Sequence, residues 1–86
     1  MRKRNHRIRI SKLTSREYHV ILESANFTDE QRELFERLNK DQYYDVALMS
    51  QMNLSSRRYY DLKSTVIDKV ERIARESGFL DAIMKR

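Results

Sequence analysis

Residues 52–64 read MNLSSRRYYDLKS. Asn53 tolerates the left-handed backbone that closes a helix. Ser55 is a good N-cap, since its hydroxyl can accept from an amide of the first helical turn. Leu54 and Tyr59 stand one before and four after that cap, where a hydrophobic staple forms. One helix therefore ends ahead of Asn53 and another begins at Ser55. Upstream, Leu48, Met49 and Met52 form the apolar stripe of a short helix over about residues 44–52, with Asp45 in its first turn. Downstream, Tyr59, Leu62, Val66, Ile67, Val70, Ile73 and Ala74 recur at steps of three and four, the period of a half-buried helix. This predicts the longest helix of the chain, ending near Gly78. Two helices joined by a turn of about three residues are the plan of a helix-turn-helix.

The flanking sequence continues the helical pattern. TSRE at residues 14–17 and TDEQ at residues 28–31 are capping boxes, each starting a helix. Tyr18, Ile21, Leu22 and Ala25 share one face of the first, and Leu34, Phe35 and Leu38 one face of the second. NKDQ at residues 39–42 reads as the loop that follows. Phe79, Leu80, Ile83 and Met84 make a last short stripe. Residues 1–12 read as an unpacked arm: Ile8 and Ile10 alternate with arginines, but a lone extended piece has no partner strand.

Composition agrees. The chain has 86 residues, no proline and one glycine, which favours one domain and long helices over strands and turns. The expected fold is all-α: four to five helices with a helix-turn-helix at about residues 44–64 and a long C-terminal helix. The expected division is a basic arm over residues 1–13 and a helical domain over residues 14–86. The absence of cysteine excludes disulfides and thiolate-held zinc and fits a reducing compartment, so a cytoplasmic location is expected. No apolar run approaches the roughly 20 residues that span a bilayer, so no membrane is expected as a partner.

The formal charge is +5, and its placement is informative. Residues 1–13 carry Arg2, Lys3, Arg4, Arg7, Arg9 and Lys12 with no acid. Residues 14–54 are acidic in balance, and residues 55–75 are basic again through Arg57, Arg58, Lys63, Lys69, Arg72 and Arg75. A basic arm and a basic helix around an acidic middle favour a polyanion at one face.

In a helix-turn-helix the first turns of the second helix stand proud of the body. Ser55, Ser56, Arg57, Tyr60, Asp61 and Ser64 fall on that outward face. Arg bonds guanine bidentately, Ser and Tyr bond bases or phosphates, and helix N-terminal amides receive phosphate. Arg58 and Lys63 point sideways, where backbone phosphates would lie. Arg2, Lys3, Arg4, Arg7 and Arg9 could enter a minor groove or grip phosphates. The plainer readings are a solvated helix face for Arg57, Arg58 and Lys63, surface packing for Tyr60, and a solubilising tail for the arm. Tyr59 reads as core by its spacing with Leu54 and Leu62, and Tyr43 and Tyr44 as packing residues at the start of the short helix.

ALMSQMNLSSRRYYDLKSTVIDKV at residues 47–70 resembles the helix-turn-helix of region four of bacterial sigma factors. It is especially similar to small phage and mobile-element regulators of the ArpU type, in which a YY-x-L-K helix runs into a long apolar-striped one. FTDEQRELFERLNKDQYYDVALMSQM at residues 27–52 extends the likeness to between half and two-thirds of the chain. Met49 replaces the usual small residue of the motif, and Asn53 the usual turn glycine. The resemblance implies binding of promoter or operator DNA by the helix that starts at Ser55, hence transcriptional regulation.

The expected partner is double-stranded DNA. A homodimer through Val70, Ile73, Phe79, Leu80 and Ile83 is a further expectation. The alternatives are a DNA-packaging or recombination accessory factor, or an interaction module that uses its acidic helices on RNA polymerase or an anti-sigma partner. His6 and His19 have no carboxylate or second histidine at ligand spacing, and no catalytic triad or phosphate loop occurs. No enzyme, metal or cofactor is expected.

Overall fold

The computed structural model describes residues 8–40 and 44–86, and these are all-helical. A 3-10 turn at Ile10–Lys12 precedes five helices: α1 (Ser15–Ser24), α2 (Asp29–Lys40), α3 (Asp45–Gln51), α4 (Ser56–Glu76) and α5 (Leu80–Met84). Helix α4 is the spine. The helices α1, α2 and α5 pack on it, and the 3-10 turn packs on α2.

Local chemistry sets the helix ends. The Thr14 amide donates to Glu17 Oε1 at 2.9 Å and the Glu17 amide to Thr14 Oγ1 at 3.2 Å. Thr28 and Gln31 repeat this exchange at 3.1 and 3.2 Å. Helix α3 closes on Asn53, whose φ is +57°. The Asn53 amide donates to the Ser50 carbonyl at 3.1 Å, and the Leu54 amide to that of Met49 at 2.9 Å. This is a Schellman closure in which Asn53 takes the place of glycine. Helix α4 ends the same way at Gly78, whose φ is +82°. There the amides of Gly78 and Phe79 reach the carbonyls of Arg75 at 3.2 Å and Ala74 at 2.8 Å.

The apolar stripes meet around α4. Tyr59, Val66, Val70 and Ala74 are fully buried, together with Ile21, Ala25, Leu34 and Phe35, and Leu48 nearly so. The Phe35 ring stacks on Tyr18 and tilts against Phe27, each with centroids 5.0 Å away.

Three expectations are corrected. Residues 8–12 are not an unpacked arm. Ile8 and Ile10 are buried, in a cleft they line with Leu38 of α2 and Ile67 of α4. Their period of two puts both on one side of an extended segment, and that side meets the groove between the two helices. Polar bonds fix the segment: the Ile8 amide donates to Glu71 Oε2 at 3.1 Å, and Asn39 Nδ2 to the Ile10 carbonyl at 3.0 Å. The second bond also explains why Asn39 and Lys40 belong to α2 and not to a loop. The tertiary contact offsets the low helix propensity of Asn39, and Lys40 suits the negative end of the helix dipole. Gln42, like Tyr43, lies outside the described residues. Finally, the stripe expected to form a dimer is covered within the chain. Val70, Ile73 and Ile83 are buried, and Phe79 and Leu80 half-buried, because α5 folds back on α4.

One pair had no sequence signal. Glu17 is buried at 6% exposure and takes two bonds from the Arg86 guanidinium, at 2.6 and 2.9 Å. Arg86 also donates to the Lys12 carbonyl at 2.9 Å, so the C-terminal residue fastens α1 and the 3-10 turn together. The Arg86 bonds hold the Glu17 carboxyl below the ordinary carboxylate range, against the opposing effect of burial.

Candidate nucleic-acid interface

The α3–turn–α4 unit places its polar residues by caps and staples. Ser55 Oγ accepts the Arg58 amide at 3.2 Å, so Ser55 is committed to starting α4. Leu54 and Tyr59 face the core. With Tyr59 inward, the helical period carries Ser56, Arg57, Tyr60, Asp61 and Ser64 outward, and all five are exposed. From Arg57 to Ser64 the stripe is about 10 Å long, which matches the major groove, roughly 12 Å wide. No acid occupies the first turn of α4, so the positive end of its dipole stays uncompensated.

The basic residues of α4 differ in what holds them. The Arg57 guanidinium is exposed and has no hydrogen-bond or ion-pair partner among the described residues. Arg58 Nη2 lies 3.0 and 3.3 Å from the two carboxylate oxygens of Glu30 in α2. Lys63 was expected to point sideways toward phosphates; it is instead half-buried, with Nζ 3.0 Å from Asp45 Oδ1. Lys69 Nζ reaches Gln31 Oε1 at 2.7 Å and the Asn26 carbonyl at 3.1 Å.

Asp45 is the residue that sequence reasoning missed. Its place in the sequence marks it only as a first-turn acid of α3. Its Oδ1 accepts from the buried Tyr59 hydroxyl at 2.5 Å as well as from Lys63, and its Oδ2 lies 3.5 Å from the Tyr60 hydroxyl. Three residues of α4 thus converge on one carboxylate of α3, which fixes the angle between the two helices. Burial opposes ionisation of Asp45, but the Tyr59 and Lys63 bonds outweigh it and its carboxyl stays below the ordinary range. Burial, and then the Asp45 carboxylate, push the Tyr59 hydroxyl well up.

Tyr60 stands edge-on to Tyr59, with ring centroids 5.1 Å away, and is 48% exposed. At 3.5 Å its bond to Asp45 is weak, which leaves the hydroxyl open to a ligand. Tyr44 does not pack as expected: it is 87% exposed, and Val46 is 74% exposed. These two flank Asp45 in sequence at the start of α3. Arg9 is exposed beside Lys63 in the cleft over Ile8 and Ile10. Arg2, Lys3, Arg4 and Arg7 lie outside the described residues.

Among the described residues, no group of three or more His, Asp or Glu side chains could hold a metal ion, and no helix is long and apolar enough to cross a membrane. His19 Nδ1 bonds the Ser15 carbonyl at 3.0 Å within its own helix. Comparison with protein-family models, with curated proteins and with solved structures gives no match.

Proposed function

We propose that this chain is a cytoplasmic, non-enzymatic DNA-binding protein that reads duplex sequence with the first turns of α4 and regulates transcription. The role is that of a regulator like sigma region four or the ArpU type, from a phage or mobile element. The observation that carries the reading is Arg57: an exposed guanidinium without a partner among the described residues, in the first turn of the second helix of a helix-turn-helix.

Each residue of the outward stripe has a definite task. Arg57 donates two parallel bonds to guanine O6 and N7. Ser56, Tyr60 and Ser64 bond base edges or phosphate oxygens. Asp61 accepts from a cytosine amine and repels a misplaced phosphate. The α4 amides receive a backbone phosphate. Lys63 has a different part from the one the sequence suggested: tied to Asp45, it sets the angle at which α4 is presented. The basic arm supplies sequence-independent attraction.

Selection from a random duplex library tests this, with wild type beside Arg57→Ala. Wild type enriches a short motif. Arg57→Ala loses about 1–3 kcal/mol on it and relaxes preference at one base pair. Failure of wild type to enrich any motif at low salt would overturn the proposal.

A further inference from the structure

The basic residues of α4 are unevenly available, and Arg58 holds an intermediate position. Lys63 is locked: its side chain and that of Asp45 are 27% and 35% exposed, and Tyr59 donates to the same carboxylate. Arg57 is bare. Arg58 adjoins Arg57 in sequence, yet its guanidinium is held at 3.0 Å by Glu30, with side chains 63% and 41% exposed. A surface pair of this kind shifts its own equilibrium by no more than about fivefold. It is strong enough to withhold a cation from loose contacts, and weak enough to yield to a phosphate held in place. Glu30 is brought there by the packing of α2 on α4, so a negative charge stands beside the proposed reading head.

We propose that Glu30 is a specificity-determining residue of this surface: it competes with a fixed DNA phosphate for Arg58 and so lowers the preference for a selected site. The inference rests on the DNA reading above. On random DNA the protein has no fixed register, no phosphate is set against Arg58, and the ion pair with Glu30 persists. On a selected site Arg57 fixes the register. A phosphate then lies against Arg58 and displaces Glu30. The pair is broken only in the selected complex, so Glu30 weakens specific binding more than non-specific binding, by up to the strength of the pair.

The test compares wild type, Glu30→Gln, Glu33→Gln, Arg58→Ala and the Glu30→Gln/Arg58→Ala double variant. Each is titrated with a random duplex and a selected duplex over a range of salt. Glu33→Gln makes the same charge change on the same helix, but Glu33 pairs with Arg37 of α2 and not with α4. Glu30→Gln is expected to bind the selected duplex up to about fivefold tighter at low salt. On random duplex it gains less than about twofold, so the ratio of specific to random affinity rises. Glu33→Gln stays close to wild type, and the double variant matches Arg58→Ala. Three results would overturn the proposal: equal tightening on both duplexes, the same gain in Glu33→Gln, or a gain that survives removal of Arg58. If wild type binds DNA and Glu30→Gln does not differ from it, only the role of Glu30 fails. If wild type binds neither duplex at low salt, the DNA reading itself fails.

Discussion

Replacing Asp45 with Ala removes at once the acceptor of the Tyr59 hydroxyl, at 2.5 Å, and the counter-ion of Lys63, at 3.0 Å. Tyr59 has no exposed surface in the intact fold, and deleting the carboxylate strands its hydroxyl without its acceptor. That costs about 1–3 kcal/mol. The Lys63 pair is half-exposed and adds at most about 1 kcal/mol. The expected loss is therefore about 2–3 kcal/mol, out of roughly 4–13 kcal/mol for a domain of this size. Urea unfolding followed by far-ultraviolet circular dichroism would show it as a midpoint lowered by about 2 M, given a slope near 1 kcal/mol/M. Tyr59→Phe leaves Asp45 paired with Lys63 and should cost only about 1 kcal/mol. With Asp45 already gone, the same change removes the orphaned group and should cost almost nothing. The double-mutant cycle should thus return a coupling of about 1 kcal/mol. Additivity within about 0.5 kcal/mol would show that the hydroxyl–carboxylate link carries no energy of its own.

Other consequences can be checked by the same unfolding measurements. Ile8→Ala should destabilise the fold by about 2–3 kcal/mol, as for a buried aliphatic residue near the edge of a core; no effect would restore the unpacked arm. Glu17 has a lowered native pKa, so the stability it contributes is present above the unfolded carboxyl value of about 4.3 and lost as pH falls through the lower native value. Glu17→Gln should be less stable at neutral pH and lose less on acidification; an unchanged acid limb would contradict this. A Cβ at Gly78 meets nothing within 4 Å, so Gly78→Ala should cost only the left-handed backbone penalty, about 1 kcal/mol. Gly78→Asn should cost less, as Asn53 already adopts that conformation at φ +57°.

What could be read from the sequence was local. Asn53, Ser55 and the Leu54–Tyr59 staple act within a few residues of each other, so the turn and the outward face of α4 follow from spacing alone. The capping boxes at Thr14 and Thr28 are equally local. What could not be read depends on how the helices cross. Ile8 and Ile10 have a core to enter only once α2 and α4 form a groove. Glu17 and Arg86 meet across 69 positions of sequence. Asp45 reaches Lys63 across 18, and this contact turns a residue that looked like a phosphate ligand into a brace. The Arg57–Arg58 pair makes the same point. The two are adjacent and chemically identical, and only the position of Glu30 distinguishes them.

Whether α4 meets DNA with its outward first turns is decided by amide shift mapping. The 15N-labelled protein would be titrated with a short unselected duplex at low salt. Shifts concentrated at Ser56, Arg57, Tyr60, Asp61 and Ser64, with the amides around Tyr44 and Val46 at their margin, are the predicted result. Shifts confined to α1 and the outer face of α2, with these residues unmoved, would contradict the account and make the polar start of α4 a solvated helix end.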